Sequence, residues 1–464
     1  MLIKEGATVF DFLAVLCSLL SKEDERKCAI QWVTAEEEQI RKMLAEYKKC
    51  VEIVLKAVIN EYKFNKDDIL YLNGELKRIE DNIQNIQENI YLLAIQVENK
   101  LEEYSSWQNS AVIYHLQALN SNVKECGIAI YPHILPLWNT KKSERTRERI
   151  LNTKFKNYMM IRMQEVQPFE LVIHYWNDTG LLKTIEKGWK MPVALSPVIS
   201  NADLNTVSQK MEEGRTIRVE GLKNDELVTN RVLQIFDDAF PKGYSIIVFP
   251  EALGTKEIVA TIKKKMREHP ECCTFVLLPT ICESGSNSLI VLGPGGIECL
   301  HHEKATPFIL VGKDGTEERE ALEYKKDIHL LMTKELGLVA FTICAELLDP
   351  YYFHVLTNVA MVDTIICPSF SPGITAFKET MLKGISLKLL QIYINTCSAK
   401  AVSRNGSISD TLGMVQIPYI NNDCETAIKM LQRKCGGECT EKACYFDVTI
   451  FCDEKQFVVQ YECA

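Results

Sequence analysis

The chain has 464 residues, 47 % apolar and 25 % charged, with a net charge of −9. Those figures predict two or three folded domains with at least one substantial core, and they exclude a surface built to coat nucleic acid generally. Seventeen cysteines without a secretory leader predict reduced thiols in a cytoplasmic setting rather than a disulfide framework.

Residues 8–20, TVFDFLAVLCSLL, are apolar but too short to span a bilayer, and Asp11 interrupts them. No positive flank or small-residue cleavage site accompanies them, so neither a signal peptide nor a membrane partner is expected. Thr34 followed by Glu37 has capping-box spacing and predicts a helix start. Ile40, Leu44, Tyr47, Val51, Val54 and Val58 then recur at steps of three and four. KFNKDD (63–68) breaks the pattern, with Asn65 or Asp67 as the next N-cap. A second run follows at Ile69, Leu72, Leu76, Ile79, Ile83, Ile86, Ile90, Leu93 and Val97, the spacing of a coiled-coil seam. Two helices, 35–62 and 68–101, joined this closely should fold back as an antiparallel hairpin. The e and g positions of the second run are largely uncharged and specify no partner. An internal bundle and an intermolecular coil therefore both remain open.

TKKSERTRER (140–149), with Lys154 and Lys156 beyond, is the most basic stretch. Its mixed charge suits a solvated helix face; a nucleic-acid contact is the alternative, without aromatic interleaving to support it. Residues 1–188 thus read as a helical region ending in a basic linker.

From 189 to 464, strand and helix patterns alternate. KMPVALSP, YSIIVFP, CTFVLLPTI, LGLVAFTIC, VDTIICPSFS and IYINTCSAKAV read as strands. DELVTNRVLQIFDDAF, TKEIVATIKKKMREH and FKETMLKGISLKLLQ read as helices. NSLIVLG and GIECLHHEK, joined through PGG, read as a hairpin, since GPGG lacks phosphate-loop spacing. The alternation predicts an α/β sandwich with a mixed sheet. Glu251, Lys304 and Cys344 each fall at or just past a strand end, where α/β folds gather active sites. A carboxylate, an ammonium and a thiol in one cleft suit acyl transfer. Glu251 would take the thiol proton, Lys304 and the Ala345 N–H would hold the oxyanion, and Cys344 would form a thioester. A turn and helix N-terminus beside Cys344 would favour its thiolate. His301 and His302 adjoin the lysine, and alternation lets at most one line the pocket. Cys424, Cys435, Cys439, Cys444 and Cys452 lack matched zinc-type pairs, so no metal is expected. Cys367 and Cys397 read as core.

VFPEA, the lysine of HHEKATPF, and TICAE stand in the order and context of the glutamate, lysine and cysteine motifs of the nitrilase, or carbon–nitrogen hydrolase, superfamily. IICPSFSPG resembles the strand and turn that follow that cysteine. INTCSAKAVSRNGSISDTLGMVQIP resembles the later strand, glycine turn and small-residue strand. The resemblance covers about 190–455. It implies an αββα sandwich, hydrolysis of a small-molecule amide or nitrile, no metal or other cofactor, and pairing into a homo-oligomer. It also implies a second carboxylate from TEERE, where Glu317, Glu318 and Glu320 are available and Glu320 is favoured. Ala345, Leu348 and Glu303 replace an aromatic, a basic and an arginine residue common in the family, which bears on substrate identity. The reading is a cysteine-dependent hydrolase or acyl transferase. Its alternative is a non-catalytic nitrilase-like scaffold that works through the helical region, as in a multi-component prokaryotic defence assembly.

Overall fold

The computed structural model describes residues 2–34, 41–42, 45–59, 62–101, 114–116, 118–136, 138, 155, 157–176, 180–185, 188–211, 214–311, 317–323, 325–402, 409–418, 427–433, 444–453 and 457–463. They form two compact units, Met1–Pro168 with Thr357–Met361, and Phe169–Leu356 with Val362–Ala464.

The first unit opens with α1 (Val9–Ser18), capped by Thr8, whose side chain accepts from the Asp11 N–H while Asp11 caps Thr8 in return. Phe12, Leu13, Val15 and Leu16 are fully buried, so the short apolar stretch is a core helix. Then come α2 (Lys22–Thr34), α3 (Lys48–Ile59), α4 (Lys66–Asp81) and α5 (Ile83–Leu101). An antiparallel pair, β1 (Ile128–Pro132) and β2 (Tyr158–Arg162), follows.

Two expectations are corrected here. Thr34 lies in helical backbone within α2 rather than at the cap of a new helix. The expected helix 68–101 is two helices: Asn82 (φ −124°, ψ 19°) ends α4, and Ile86 (φ −134°, ψ 15°) interrupts the start of α5. The seam is nonetheless spent inside one chain. Leu72, Leu76, Ile79, Ile90, Leu93 and Val97 are buried in a core shared with α1. Helix α5 packs against α1, α2 and α3 as well as α4, which is a bundle rather than a two-helix hairpin. Asn65 does cap α4, accepting from the Asp68 N–H at 2.8 Å. Residues 35–40 and the basic stretch 140–149 lie outside the described residues.

The second unit begins with β3 (Glu170–Trp176) and β4 (Gly188–Leu195). A long hairpin follows, β5 (Leu204–Met211) and β6 (Gly214–Leu222), then α6 (Asp225–Ala239), β7 (Ile246–Val248), α7 (Lys256–Glu268) and β8 (Phe275–Leu277). Next are β9 (Ile281–Glu283), β10 (Ser286–Gly293), β11 (Ile297–Glu303), β12 (Ile309–Val311) and β13 (Glu317–Glu320). Then come β14 (Asp327–Thr333), β15 (Gly337–Phe341), β16 (Thr364–Ser369), α8 (Thr375–Ile385) and β17 (Leu390–Asn395). The last strands are β18 (Thr411–Gln416), β19 (Ile428–Gln432), β20 (Phe446–Asp453) and β21 (Phe457–Cys463).

One mixed sheet carries the order β3-β14-β15-β16-β17-β18-β19, and a second carries β9-β10-β8-β7-β4-β20-β21. Helices α6, α7 and α8 each connect parallel neighbours, as crossovers require. Strand alternation separates the layers. Ile246, Leu277 and Val291 of one sheet face Leu331, Val339, Phe341 and Ile366 of the other. Ile247 and Val276, one residue along, pack under α6 and α7 with Val232, Phe236, Ile258 and Ile262. Helix α8 covers the other sheet, with Phe377 against Tyr393 at 4.8 Å between ring centroids. The expected α/β class is what these layers are. β3 pairs in parallel with β14, so the unit takes in a strand before residue 189. A third, accessory sheet runs β12-β13-β6-β5.

Candidate active site

Glu251 stands three residues past β7, on a turn that Thr280 clamps: its hydroxyl accepts from the Ala252 N–H at 2.8 Å and its carbonyl from the Gly254 N–H at 2.9 Å. A Cβ at Gly254 would come within 2.3 Å of the Pro279 carbonyl oxygen, so only glycine lets the turn approach this closely. Lys304 follows β11 directly, its N–H bonded to the Asn287 carbonyl at 2.8 Å. Cys344 follows the end of β15 and opens a short 3-10 turn. Its φ is +51°, and Ala252 beside Glu251 has φ +64°. Non-glycine residues held there carry strain that surrounding structure must sustain, a feature that clusters at functional sites.

The structure brings together the residues the sequence singled out. Glu251, Lys304, Glu320 and Cys344 line one cavity of about 160 Å³. Glu251, Lys304 and Cys344 are each at most 4 % exposed. The Lys304 ammonium donates to Glu251 Oε1 at 2.8 Å and to Glu320 Oε2 at 2.7 Å. Of the three carboxylates in TEERE it is therefore Glu320 that reaches the lysine; Glu318 instead pairs with Arg215 at 2.6 Å. The Phe308 N–H donates to the same Glu320 oxygen at 2.9 Å. Ala345 is the second residue of the turn that Cys344 opens.

Burial alone would lower the Lys304 ammonium, but the charges of Glu251 and Glu320 outweigh it and hold the group well above its ordinary value. Lys304 is thus a fixed cation. Cys344 differs from expectation. Burial first, then the Glu251 charge, push its thiol well above the ordinary range, against the pull of Lys304 and of the Ser369 hydroxyl. Burial and the Glu251 charge both favour the protonated thiol at Cys344.

Sequence reading missed four supporting residues. Asn287 Nδ2 donates to Glu251 Oε1 at 2.8 Å, and the Phe370 N–H donates to Oε2 at 2.8 Å, so both carboxylate oxygens are held. The Ser369 hydroxyl donates to Cys344 Sγ at 3.1 Å. Glu346, fully buried, accepts from the Ile343 N–H at 2.7 Å and from the Ala305 N–H, and lies 3.0 Å from His302 Nε2. It ties the residue before Cys344 to the residue after Lys304. Neither histidine is among the cavity-lining residues: His301 is exposed and His302 is turned to Glu346. Cys367 is buried in β16 as expected, whereas Cys397, also buried, opens a 3-10 turn after β17 instead of lying in a strand.

Among the described residues no group of His, Cys, Asp and Glu is placed to hold a metal ion, and no helix is long and apolar enough to cross a membrane. Cys424, Cys435 and Cys439 lie outside those residues.

No family model and no curated protein matches this sequence. Solved structures of the nitrilase superfamily do resemble it over about half its length. Nit3 of Saccharomyces cerevisiae is 13 % identical, with 52 % of this chain and 85 % of that one covered at a TM-score of 0.35. An amidase from Nesterenkonia sp. is 10 % identical, with 52 % and 86 % covered at 0.34. A carbon–nitrogen hydrolase from Helicobacter pylori is 12 % identical, with 49 % and 82 % covered at 0.30.

Proposed function

We propose that this chain is a cysteine-dependent hydrolase or acyl transferase acting on a non-peptide carbon–nitrogen bond, with a small amide as substrate. One observation carries the reading: a buried thiol on a strained turn shares a cavity with a carboxylate and an ammonium, and the ammonium is locked between two carboxylates.

Cys344 Sγ attacks the amide carbonyl carbon while Glu251 takes the thiol proton. The new oxyanion is met by the Lys304 ammonium and the Ala345 N–H. Collapse of the tetrahedral intermediate breaks the C–N bond, and Glu251 returns the proton to the departing amine, leaving a thioester on Cys344. Water, deprotonated by Glu251, then attacks the thioester, releasing the carboxylic acid and restoring the thiol. Another nucleophile in place of water makes the same site an acyl transferase. Glu320 acts as a positioning carboxylate that fixes Lys304 and lets Glu251 move protons without losing its partner cation.

The test is a covalent one. Full-length protein incubated with fluoroacetamide and with simple amides should gain an acyl-sized mass on the peptide containing Cys344, and ammonia should be released. Cys344→Ala should lose both while keeping its melting temperature within a few degrees, since the two side chains differ little in volume. Ammonia release that survives Cys344→Ala would sink the proposal.

A further inference from the structure

The cavity has walls as well as a floor, and the walls come from the accessory sheet. Leu204 of β5 and Ile217 and Val219 of β6 line it, with Phe308 at the approach to β12 and Phe370 and Pro372 after β16. Phe308 and Phe370 also supply the backbone N–H groups that hold Glu320 and Glu251. The same short segments therefore fix the carboxylates and shape the space above them. The floor is polar and its one cation is outnumbered: one ammonium faces two carboxylates, and burial beside Glu251 keeps the thiol protonated. Among the described residues no cation on the floor remains unspent to receive an anionic substrate group. Arg319, which also lines the cavity, is exposed to solvent, and Arg215 is occupied by Glu318. An acyl group carrying a carboxylate would bury that charge against apolar walls above a floor of net negative charge, which is costly.

Resting on the amide-hydrolase reading, we infer that this site selects neutral, apolar acyl groups of up to about six carbons, and that Ile217 and Val219 of the β5–β6 hairpin set the limit. The size follows from volume. A cavity of about 160 Å³ is close to the ~150 Å³ of apolar space that holds one benzene molecule. Each methylene moved from water into such walls strengthens binding a few-fold until the space is full.

The experiment compares kcat/KM of the full-length protein for acetamide, butyramide, hexanamide and octanamide, and for the carboxylate-ended succinamate and adipamate. Expected is a rise of at least tenfold from acetamide to hexanamide, a fall at octanamide, and rates at least a hundredfold lower for the two anions. Ile217→Phe should lower the hexanamide-to-acetamide ratio tenfold or more. A flat chain-length profile, or succinamate turned over as well as butyramide, overturns the inference while leaving the hydrolase reading intact. Failure of every amide, with no mass added to Cys344, overturns the hydrolase reading. The wall inference is then decided by binding: hexanamide should raise the melting temperature of Cys344→Ala and adipamate should not. Equal shifts from the two would overturn it.

Discussion

At the scale of single residues, the informative feature is a thiol whose surroundings oppose its ionisation. A strand end and a turn suggested a thiolate, because a helix N-terminus lowers thiol pKa. Cys344 is instead buried beside a carboxylate, and those two effects outweigh Lys304. The sign is testable. An acid whose pKa is raised stays protonated through the range where an ordinary thiol, near pKa 8.5, ionises. Iodoacetamide should therefore alkylate Cys344 slowly at pH 7–8, with a rate still climbing above pH 9, and more slowly throughout than the exposed Cys273. Peptide mass spectrometry across pH reads both in one sample. A plateau for Cys344 below pH 7 would show a preformed thiolate and remove the need for Glu251 as base. On the proposed mechanism, reactivity toward amides at neutral pH should contrast with sluggish alkylation, because only a substrate that places its carbonyl over Lys304 would draw the proton onto Glu251.

At the scale of elements, the site depends on two strands held in register by one carboxylate. β11 delivers Lys304 and β15 delivers Cys344, and these strands belong to different sheets. Glu346 bridges them through the Ala305 and Ile343 N–H groups. Removing its side chain leaves two buried N–H groups unpaired, at about 1–3 kcal/mol each. Glu346→Ala should accordingly lower stability by about 2–6 kcal/mol in a urea melt and, on the proposed mechanism, reduce kcat far more than it raises KM, because Cys344 and Lys304 lose their common brace. Glu346→Gln, which keeps one acceptor oxygen, should recover part of both. A Glu346→Ala protein that is destabilised yet keeps full kcat would make this carboxylate structural only. Much of this layer was legible in the sequence: three polar residues, each at a strand end, in α/β order. The braces were not. Asn287, Ser369 and Glu346 are single polar residues in or beside apolar strands, with no spacing that sets them apart. Apart from the Ile343 N–H, what they hold comes from segments 25 to 44 residues away in the chain. Only the carboxylate two residues after Cys344 gave any local hint.

At the scale of the whole chain, periodicity identified most of the buried seam but not the number of helices it meets. The run from Ile69 to Val97 is apolar at every seam position; six of those positions are buried, Ile69, Ile83 and Ile86 are only partly buried, and Tyr91, Leu92 and Ala94 are buried outside the seam. Heptad spacing cannot say whether a seam meets one helix or several, and a short break at Asn82 leaves the period undisturbed. The partner that the pattern overlooked was α1, a ten-residue apolar segment too short for a membrane and read for what it could not be. Because the seam faces α1, α2 and α3 within one chain, it is not available to join two chains. Leu93→Asp should then act on stability alone. Leu93 is 1 % exposed, and replacing it with a carboxylate both empties space and buries a charge, on the order of 4 kcal/mol or more. The helical signal in circular dichroism should melt at a clearly lower temperature. Leu70, on α4 and 76 % exposed, is the control, and Leu70→Asp should stay within about 0.5 kcal/mol of the parent. Size-exclusion chromatography separates the two accounts of the seam. If α4 and α5 form an intermolecular coil, folded Leu93→Asp should elute at a smaller size than the parent. With the seam closed inside the chain, whatever fraction remains folded should elute where the parent does.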